Sequence, residues 1–364
     1  MSKMAQDHGA INLSQGFPDF DCPERLKQLV SDHLNGGKNQ YPPMTGVAVL
    51  RQEIANKINH HYNFIADPET EITVTSGATE ALFDAIQAVV NRGDEVIVFD
   101  PAYDSYAPAV ALAGGNCIHL PLPLPDFSMD FERLKSAINK RTRLIIINSP
   151  HNPCGGVLSQ QDLDQLAELI RDTEILVLSD EVYEHMVFDG GQHASVLGHE
   201  ELSRKSFAVF SFGKTYHATG WKMAYCVASA QLMAEFRKVH QFVTFTTTSF
   251  LQYALADFMR ECPEHAIQLP AFYQRKRDHF CALLKESRFT FKPSAGTYFQ
   301  IVDYSQISQL GDQEFVTELT RRHGVAAIPL SPFFQQAPDS RLIRFCFCKD
   351  DKTLDQAAEI LCRL

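Results

Sequence analysis

Ser211-Phe-Gly-Lys-Thr-Tyr-His-Ala-Thr-Gly-Trp-Lys222 is the stretch on which the reading of the chain turns. It places Lys214 after a small-residue turn, with a hydroxyl three residues earlier at Ser211 and a second cation eight residues later at Lys222. A lysine that forms a Schiff base must be delivered into a semi-enclosed pocket whose neighbours lower its pKa. A cofactor that also carries a phosphate needs a hydroxyl donor and a cation close by. Ser211, Lys214 and Lys222 supply those three parts. Ser-x-x-Lys alone would read as a surface loop with solvated lysines; the full twelve residues are far more specific.

Around this stretch, apolar runs of strand length alternate with helical periods, the pattern of an α/β sheet. Ile72–Thr75 reads as a strand that breaks at Ser76-Gly77. The helix after it carries Ala81, Leu82, Ala85, Ile86, Val89 and Val90 at helical spacing. Glu95–Phe99 is a strand stopped by Asp100-Pro101, and Ile175–Leu178 one that ends at Ser179-Asp180. Leu144–Ile147, wholly apolar and closed by Asn148-Ser-Pro, is expected at the centre of the sheet. Gln160–Arg171 is helical, and the strand Phe207–Phe210 ends just before Lys214. Candidate functional residues thus sit past the C-terminal ends of strands, where open α/β sheets bind ligands. A change of character at residues 262–270, ahead of a charged helical stretch Tyr273–Glu286, marks the start of a smaller C-terminal unit.

The 364 residues leave ample room for a buried core in one large or two smaller domains. An apolar share of 45% is that of an ordinary globular protein. The net charge of −11 argues against nucleic acid or an anionic membrane as partner, though an acidic protein can still hold a basic site. Nine scattered cysteines, with Cys346 and Cys348 the one close pair, make a poor zinc signal and fit reduced thiols in the cytoplasm. No metal is expected. The first eight residues lack the apolar core of a signal peptide, and no apolar run reaches the ~18 residues of a membrane span.

Further segments extend the match to the lysine stretch: Asn12-Leu-Ser-Gln-Gly-Phe-Pro-Asp-Phe20, Asn39-Gln-Tyr41, Ser76-Gly-Ala-Thr-Glu80, Asp100-Pro-Ala-Tyr103, Asn148-Ser-Pro-His-Asn-Pro153, Ser179-Asp-Glu-Val-Tyr183 and Arg344-Phe-Cys-Phe347. In this order they resemble the class I/II pyridoxal-phosphate aminotransferases, in the branch of the kynurenine and methionine enzymes. The resemblance runs from about residue 12 to the C-terminus. It implies a fold type I, aspartate-aminotransferase-like α/β architecture, with a large α/β/α domain at 36–265 and a small α+β domain from 1–35 and 266–364. It also implies pyridoxal 5'-phosphate as cofactor, amino acid and 2-oxo acid substrates, and a cytoplasmic homodimer with shared active sites.

The resemblance assigns roles residue by residue, and each residue has an ordinary reading beside the functional one. Lys214 would carry the cofactor and move the proton from the substrate's Cα. Asp180 would hold the cofactor's ring nitrogen protonated so that the ring accepts electrons; taken alone, it is a loop cap after a strand. Tyr183 and Asn152 would bond the phenolic oxygen, although Asn-Pro by itself is a turn signal and Tyr183 a core tyrosine. Gly77, Ala78 and Thr79 open a helix whose free N–H groups suit a phosphate, with Ser211 and Lys222 beside them. Tyr41 would reach that phosphate from the partner subunit, and Tyr103 would stack on the ring. Arg344 would grip the α-carboxylate with two parallel hydrogen bonds, near Asn152 and Gly16; the glycine is otherwise a loop residue that requires positive φ. Phe245 would wall the side-chain pocket of the neighbouring subunit. His151 and His217 stand next to these residues but receive no role.

For the substrate, the branch implies bulky neutral side chains, and the local match at Asn12–Phe20, Ser211–Lys222 and Ala326–Pro329 favours methionine. Kynurenine transamination and β-elimination from cysteine conjugates remain open on the same scaffold. A cofactor-sensing regulator would need a helix-turn-helix domain before residue 12, where eleven residues stand.

Overall fold

The computed structural model describes residues 1–364. Twelve strands form in chain order: β1 (Ile11–Asn12), β2 (Ile72–Thr75), β3 (Glu95–Asp100), β4 (Asn116–Pro121), β5 (Thr142–Asn148), β6 (Leu176–Asp180), β7 (Ser206–Ser211), β8 (Ala224–Ala228), β9 (Phe299–Asp303), β10 (Val325–Ala326), β11 (Ile328–Pro329) and β12 (Leu342–Cys346). Seven make one sheet in the order β2-β8-β7-β6-β5-β3-β4, and three make a second, β11-β12-β9. In the large sheet β4, β3, β5, β6 and β7 are mutually parallel, and β8 runs antiparallel to both β7 and β2.

The continuous apolar runs of the large sheet follow from burial on both faces. Side chains alternate across a strand, so Val96, Val98, Leu144 and Ile146 enter one core with the helix Ala78–Val89. Ile97, Phe99, Ile145 and Ile147 enter the other with the helix Gln160–Ile170. The first core continues without a break into the second sheet through Val302, Ile343 and Phe345.

The strands expected from sequence form within one or two residues of their expected ends, and β5 lies inside the sheet between β3 and β6. One helix differs. The stretch expected from Tyr273 begins at Glu264 and carries Pro270 within it. Buried Leu269 shares a core with Tyr273 and Phe280, and this packing holds the first turns in place although proline removes one helical hydrogen bond.

Parallel strands bring their C-terminal ends to one edge, so Asn148, Asp180 and Ser211 end neighbouring strands of one sheet. The second sheet delivers Arg344 from β12. Both termini meet beside it: β1 pairs in parallel with β10, and the Cys346 N–H donates to the Leu13 carbonyl at 2.8 Å. The helix Glu24–Asn35 instead packs on the helix Ser249–Glu261, with Arg25–Glu261 and His33–Asp257 pairs at 2.8 and 2.7 Å.

Candidate active site

Where these strand ends meet the second sheet they enclose a cavity of about 480 Å³. It is lined by Gly16, Gly77, Ala78, Thr79, Tyr103, Asn152, Asp180, Tyr183, Ser211, Lys214, Lys222 and Arg344, among others. Twelve of the residues singled out from sequence thus border one space.

Lys214 sits on a single helical turn, Phe212–Thr215, which starts where β7 stops. Ser211 Oγ caps the turn by accepting from the Lys214 N–H at 3.3 Å. Lys214 Nζ donates to Tyr298 Oη at 2.8 Å and to the Gly16 carbonyl at 3.3 Å. Burial pushes the ammonium down to about 8, so the amine is available near neutral pH.

Lys222 adopts left-handed backbone, φ 55°, directly beside Gly77, φ 88°. A Cβ on Gly77 would lie 2.9 Å from Lys222 Cε and 3.0 Å from Nζ. Glycine here therefore meets two demands, a left-handed turn and close approach of a cation to a helix start. Gly16 meets only the second. Its backbone is not left-handed, contrary to the ordinary reading above, and a Cβ there would press on the Phe299 ring at 2.8 Å.

Asp180 is the buried last residue of β6. Tyr106 Oη donates to its Oδ2 at 2.7 Å, and burial raises its carboxyl to about 6. Tyr183, two turn positions on, is held as a neutral phenol by burial, with its ring edge-on to Tyr298 at 5.1 Å. The two glutamates of this stretch point the other way. Glu181 accepts from Ser179 Oγ and pairs with His193 at 2.8 Å, and Glu184 pairs with Lys57 and accepts from Tyr62. The segment is thus pinned from behind.

Arg344 is buried in β12, with its guanidinium 3.8 Å from the Phe299 ring centroid. Its Nη1 donates to Asn152 Oδ1 at 2.6 Å and its Nη2 to the Ser14 carbonyl at 3.3 Å, while Nε has no partner. No carboxylate pairs with this cation. An unpaired buried guanidinium is costly unless an anion joins it.

Tyr41 and Phe245 stand outside the cavity of their own chain. They are 84% and 41% exposed, and their rings meet edge-on at 5.6 Å. His151 and His217 are neutral packing groups: burial lowers them to about 4 and about 3, and they contact Cys154 Sγ and Tyr273 Oη. Two tyrosines escaped the sequence reading. Tyr298 bonds both Lys214 and Gly16, and Tyr106 bonds Asp180. Tyr106 stands three residues after Tyr103 and opens the helix Tyr106–Leu112, and that closeness in sequence could have flagged it; Tyr298, in Ala-Gly-Thr-Tyr-Phe, carries no such signal.

The family model for aminotransferase class I and II matches residues 8–361. The methionine aminotransferase of Escherichia coli (strain K12) is 53% identical over 364 residues, covering 100% of this chain and 94% of that protein. A solved Escherichia coli structure with a methionine aminotransferase function superimposes with a TM-score of 0.98, covering 100% of this chain and 95% of that one. The N-succinyldiaminopimelate aminotransferase structure from Mycobacterium tuberculosis gives 0.97 at 39% identity, with 100% and 95% covered. Kynurenine–oxoglutarate transaminase 1 of Rattus norvegicus is 32% identical, over 99% of this chain and 93% of that protein.

Proposed function

The chain belongs to the class I and II aminotransferase family and is a transaminase of the aspartate-aminotransferase-like fold; from that premise we propose that it moves the α-amino group of methionine, or of another bulky neutral amino acid, to a 2-oxo acid, with pyridoxal 5'-phosphate held at Lys214. One observation carries this reading. A lysine poised at about 8 and a buried guanidinium with no acid partner line the same cavity.

The donor set fits the cofactor. Ser211, Lys222 and the N–H groups of Ala78 and Thr79 would hold its phosphate, with Gly77, whose own N–H bonds the Thr75 carbonyl, shaping the turn. Asp180 would face the ring nitrogen, Tyr183 and Asn152 the phenolic oxygen, and Tyr103 the ring. When bound, pyridoxal phosphate supplies an aldehyde for the amino group and a protonated ring that accepts electrons from Cα. The chain does the rest. Arg344 orients the substrate by its carboxylate. Lys214, once its amine is free, takes the proton from Cα and holds it within the cavity. The Tyr298 hydroxyl and the Gly16 carbonyl keep that amine in place.

A neutral substrate side chain is supported by the apolar lining residues Phe17, Phe299, Ile328 and Phe333, and by the 53% identity to a methionine aminotransferase. A homodimer with shared sites is supported by exposed Tyr41, Phe245 and Phe242, the last 86% exposed. There Tyr41 would reach the neighbouring phosphate and Phe245 wall the neighbouring substrate. The division into units of 36–265 and of 1–35 with 266–364 is supported at the chain start by the β1–β10 pairing, whereas the helix Glu24–Asn35 packs across that line. No helix is long and apolar enough to cross a membrane, in keeping with a cytoplasmic enzyme.

Borohydride reduction of the loaded protein, followed by peptide mapping, is expected to fix the cofactor on Lys214; a tag on Lys222 or Lys205 would overturn the assignment. The same lysine sets a pH profile. The neutral amine is the reactive form, so cofactor uptake by the cofactor-free chain should speed up about tenfold per pH unit towards pH 8 and then level. Comparing kcat/KM for methionine, phenylalanine and kynurenine ranks the donors, and pyruvate release from a cysteine conjugate without an added oxo acid would reveal β-elimination instead.

Arg344→Lys keeps the charge but not the two-point geometry. Loss of one charge-assisted bond, about 1.5–3 kcal/mol, should lower kcat/KM by roughly ten- to a hundred-fold. The loss should be similar for all three amino acids, because all share the carboxylate. A changed ranking without a general loss would mean that another cation grips it.

A further inference from the structure

Behind the turn that would face the phosphate lies a polar cluster with no part in the chemistry above: Glu80, Asp84 and His240. Asp84 and His240 are fully buried, and the Glu80 side chain is 7% exposed. His240 Nδ1 lies 2.7 Å from Glu80 Oε1 and 3.5 Å from Asp84 Oδ2, and its Nε2 lies 2.9 Å from the Met44 carbonyl oxygen. A carbonyl only accepts, so Nε2 carries a proton, and with a carboxylate facing Nδ1 the ring donates from both nitrogens. Burial opposes that charge, yet Asp84 and Glu80 outweigh it and hold the ring at about 9. Burial in turn raises Asp84, whose oxygens have no hydrogen-bond partner, to about 6. The Cys226 thiol is the other titratable group facing Asp84, and the Phe236 ring stacks on His240 at 6.2 Å.

Three elements converge on this ring. Glu80 lies in the first turn of the helix Ala78–Val89 and also accepts from the Ser76 N–H. Met44 follows Tyr41 closely, and Thr246 Oγ1 donates to the adjacent Pro43 carbonyl at 3.1 Å. His240 lies on the helix Ala230–Val243, and the Phe245 N–H donates to its carbonyl at 2.9 Å. We infer that His240 is a positioning residue whose imidazolium ties the turn Ser76–Glu80 to the segments carrying Tyr41 and Phe245, so that filling the turn and ordering those segments occur together. What fills the turn rests on the cofactor reading above; the tie rests on the hydrogen bonds alone.

Hydrogen–deuterium exchange on the full chain, with and without pyridoxal phosphate, tests the tie in wild type, Glu80→Gln and His240→Gln. In the cofactor-free protein, Glu80→Gln is expected to speed exchange about tenfold in the peptide 38–50, which it does not touch, as well as in 76–84. His240→Gln should do the same. Unchanged exchange over 38–50 in Glu80→Gln overturns the inference, and that variant decides alone should His240→Gln fail to fold. Equal acceleration throughout, including the distant helix 351–361, also overturns it, because it would report global destabilisation. Adding cofactor should slow both peptides in wild type, and 38–50 less in Glu80→Gln, where only the direct reach of Tyr41 to the neighbouring phosphate is left. If cofactor slows nothing in wild type, the cofactor reading fails, and the cofactor-free comparison still decides the tie.

Discussion

Lys214→Ala is expected to lower turnover about 10⁴-fold, the upper end for removing a positioned proton-transfer group. No neighbour can take over. Tyr183 and Tyr298 are held as neutral phenols by burial, and Lys222 is placed against Gly77 at the helix start. The proposed phosphate and ring contacts do not involve its side chain, so the variant should still take up cofactor but not retain it through borohydride reduction. Because alanine vacates space beside Tyr298 and Gly16, a small primary amine in the medium should restore part of the rate, more so at higher pH where the amine is neutral. Single-turnover absorbance with methionine measures this. Activity within tenfold of wild type would remove Lys214 from the mechanism.

Asp180→Asn should separate rate from stability. In the proposed arrangement the carboxylate's charge is matched to a protonated ring, and loss of such a preorganised electrostatic partner costs ~10²–10³ or more in rate. Cofactor affinity should weaken far less, since the phosphate contacts remain. The sign for stability is opposite. Burial raises the Asp180 carboxyl from 3.8 to about 6, so the folded cofactor-free chain prefers the protonated form. Stability is then greatest below about pH 4 and falls as pH rises through 6, by about 3 kcal/mol at ~1.4 kcal/mol per unit. The amide abolishes that loss, so the cofactor-free variant should melt higher than wild type at pH 7 and equally at pH 4. Thermal unfolding at the two pH values checks it; an unchanged difference between them would mean that Asp180 is not the strained group.

Much of this arrangement was legible in the chain because strand ends announce themselves. Apolar runs closed by Ser76-Gly77, Asp100-Pro101, Asn148-Ser-Pro and Ser179-Asp180 gave both the sheet and the edge on which the lining residues stand. Long-range partners were not legible. Nothing local to Tyr298 says that its hydroxyl meets Lys214, 84 residues away, and the contact of Arg344 with the Ser14 carbonyl spans 330. Backs of segments were hidden for the same reason: Glu181 and Glu184 look like solvated charges until Lys57, Tyr62 and His193 close over them. The helix expected from Tyr273 starts earlier, at Glu264, because packing of Leu269 and Tyr273 holds Pro270 inside it.

The pairing of β1 with β10 bears on biosynthesis. Ile11 is made more than three hundred residues before its partner Val325, and contacts so remote in sequence form slowly. The loop holding Gly16 is seated only once Tyr298, Phe299 and Ala326 have been made, and Arg344 comes later still. A chain that stops short of these residues carries Lys214 without Arg344, and only synthesis through Cys346 joins the two.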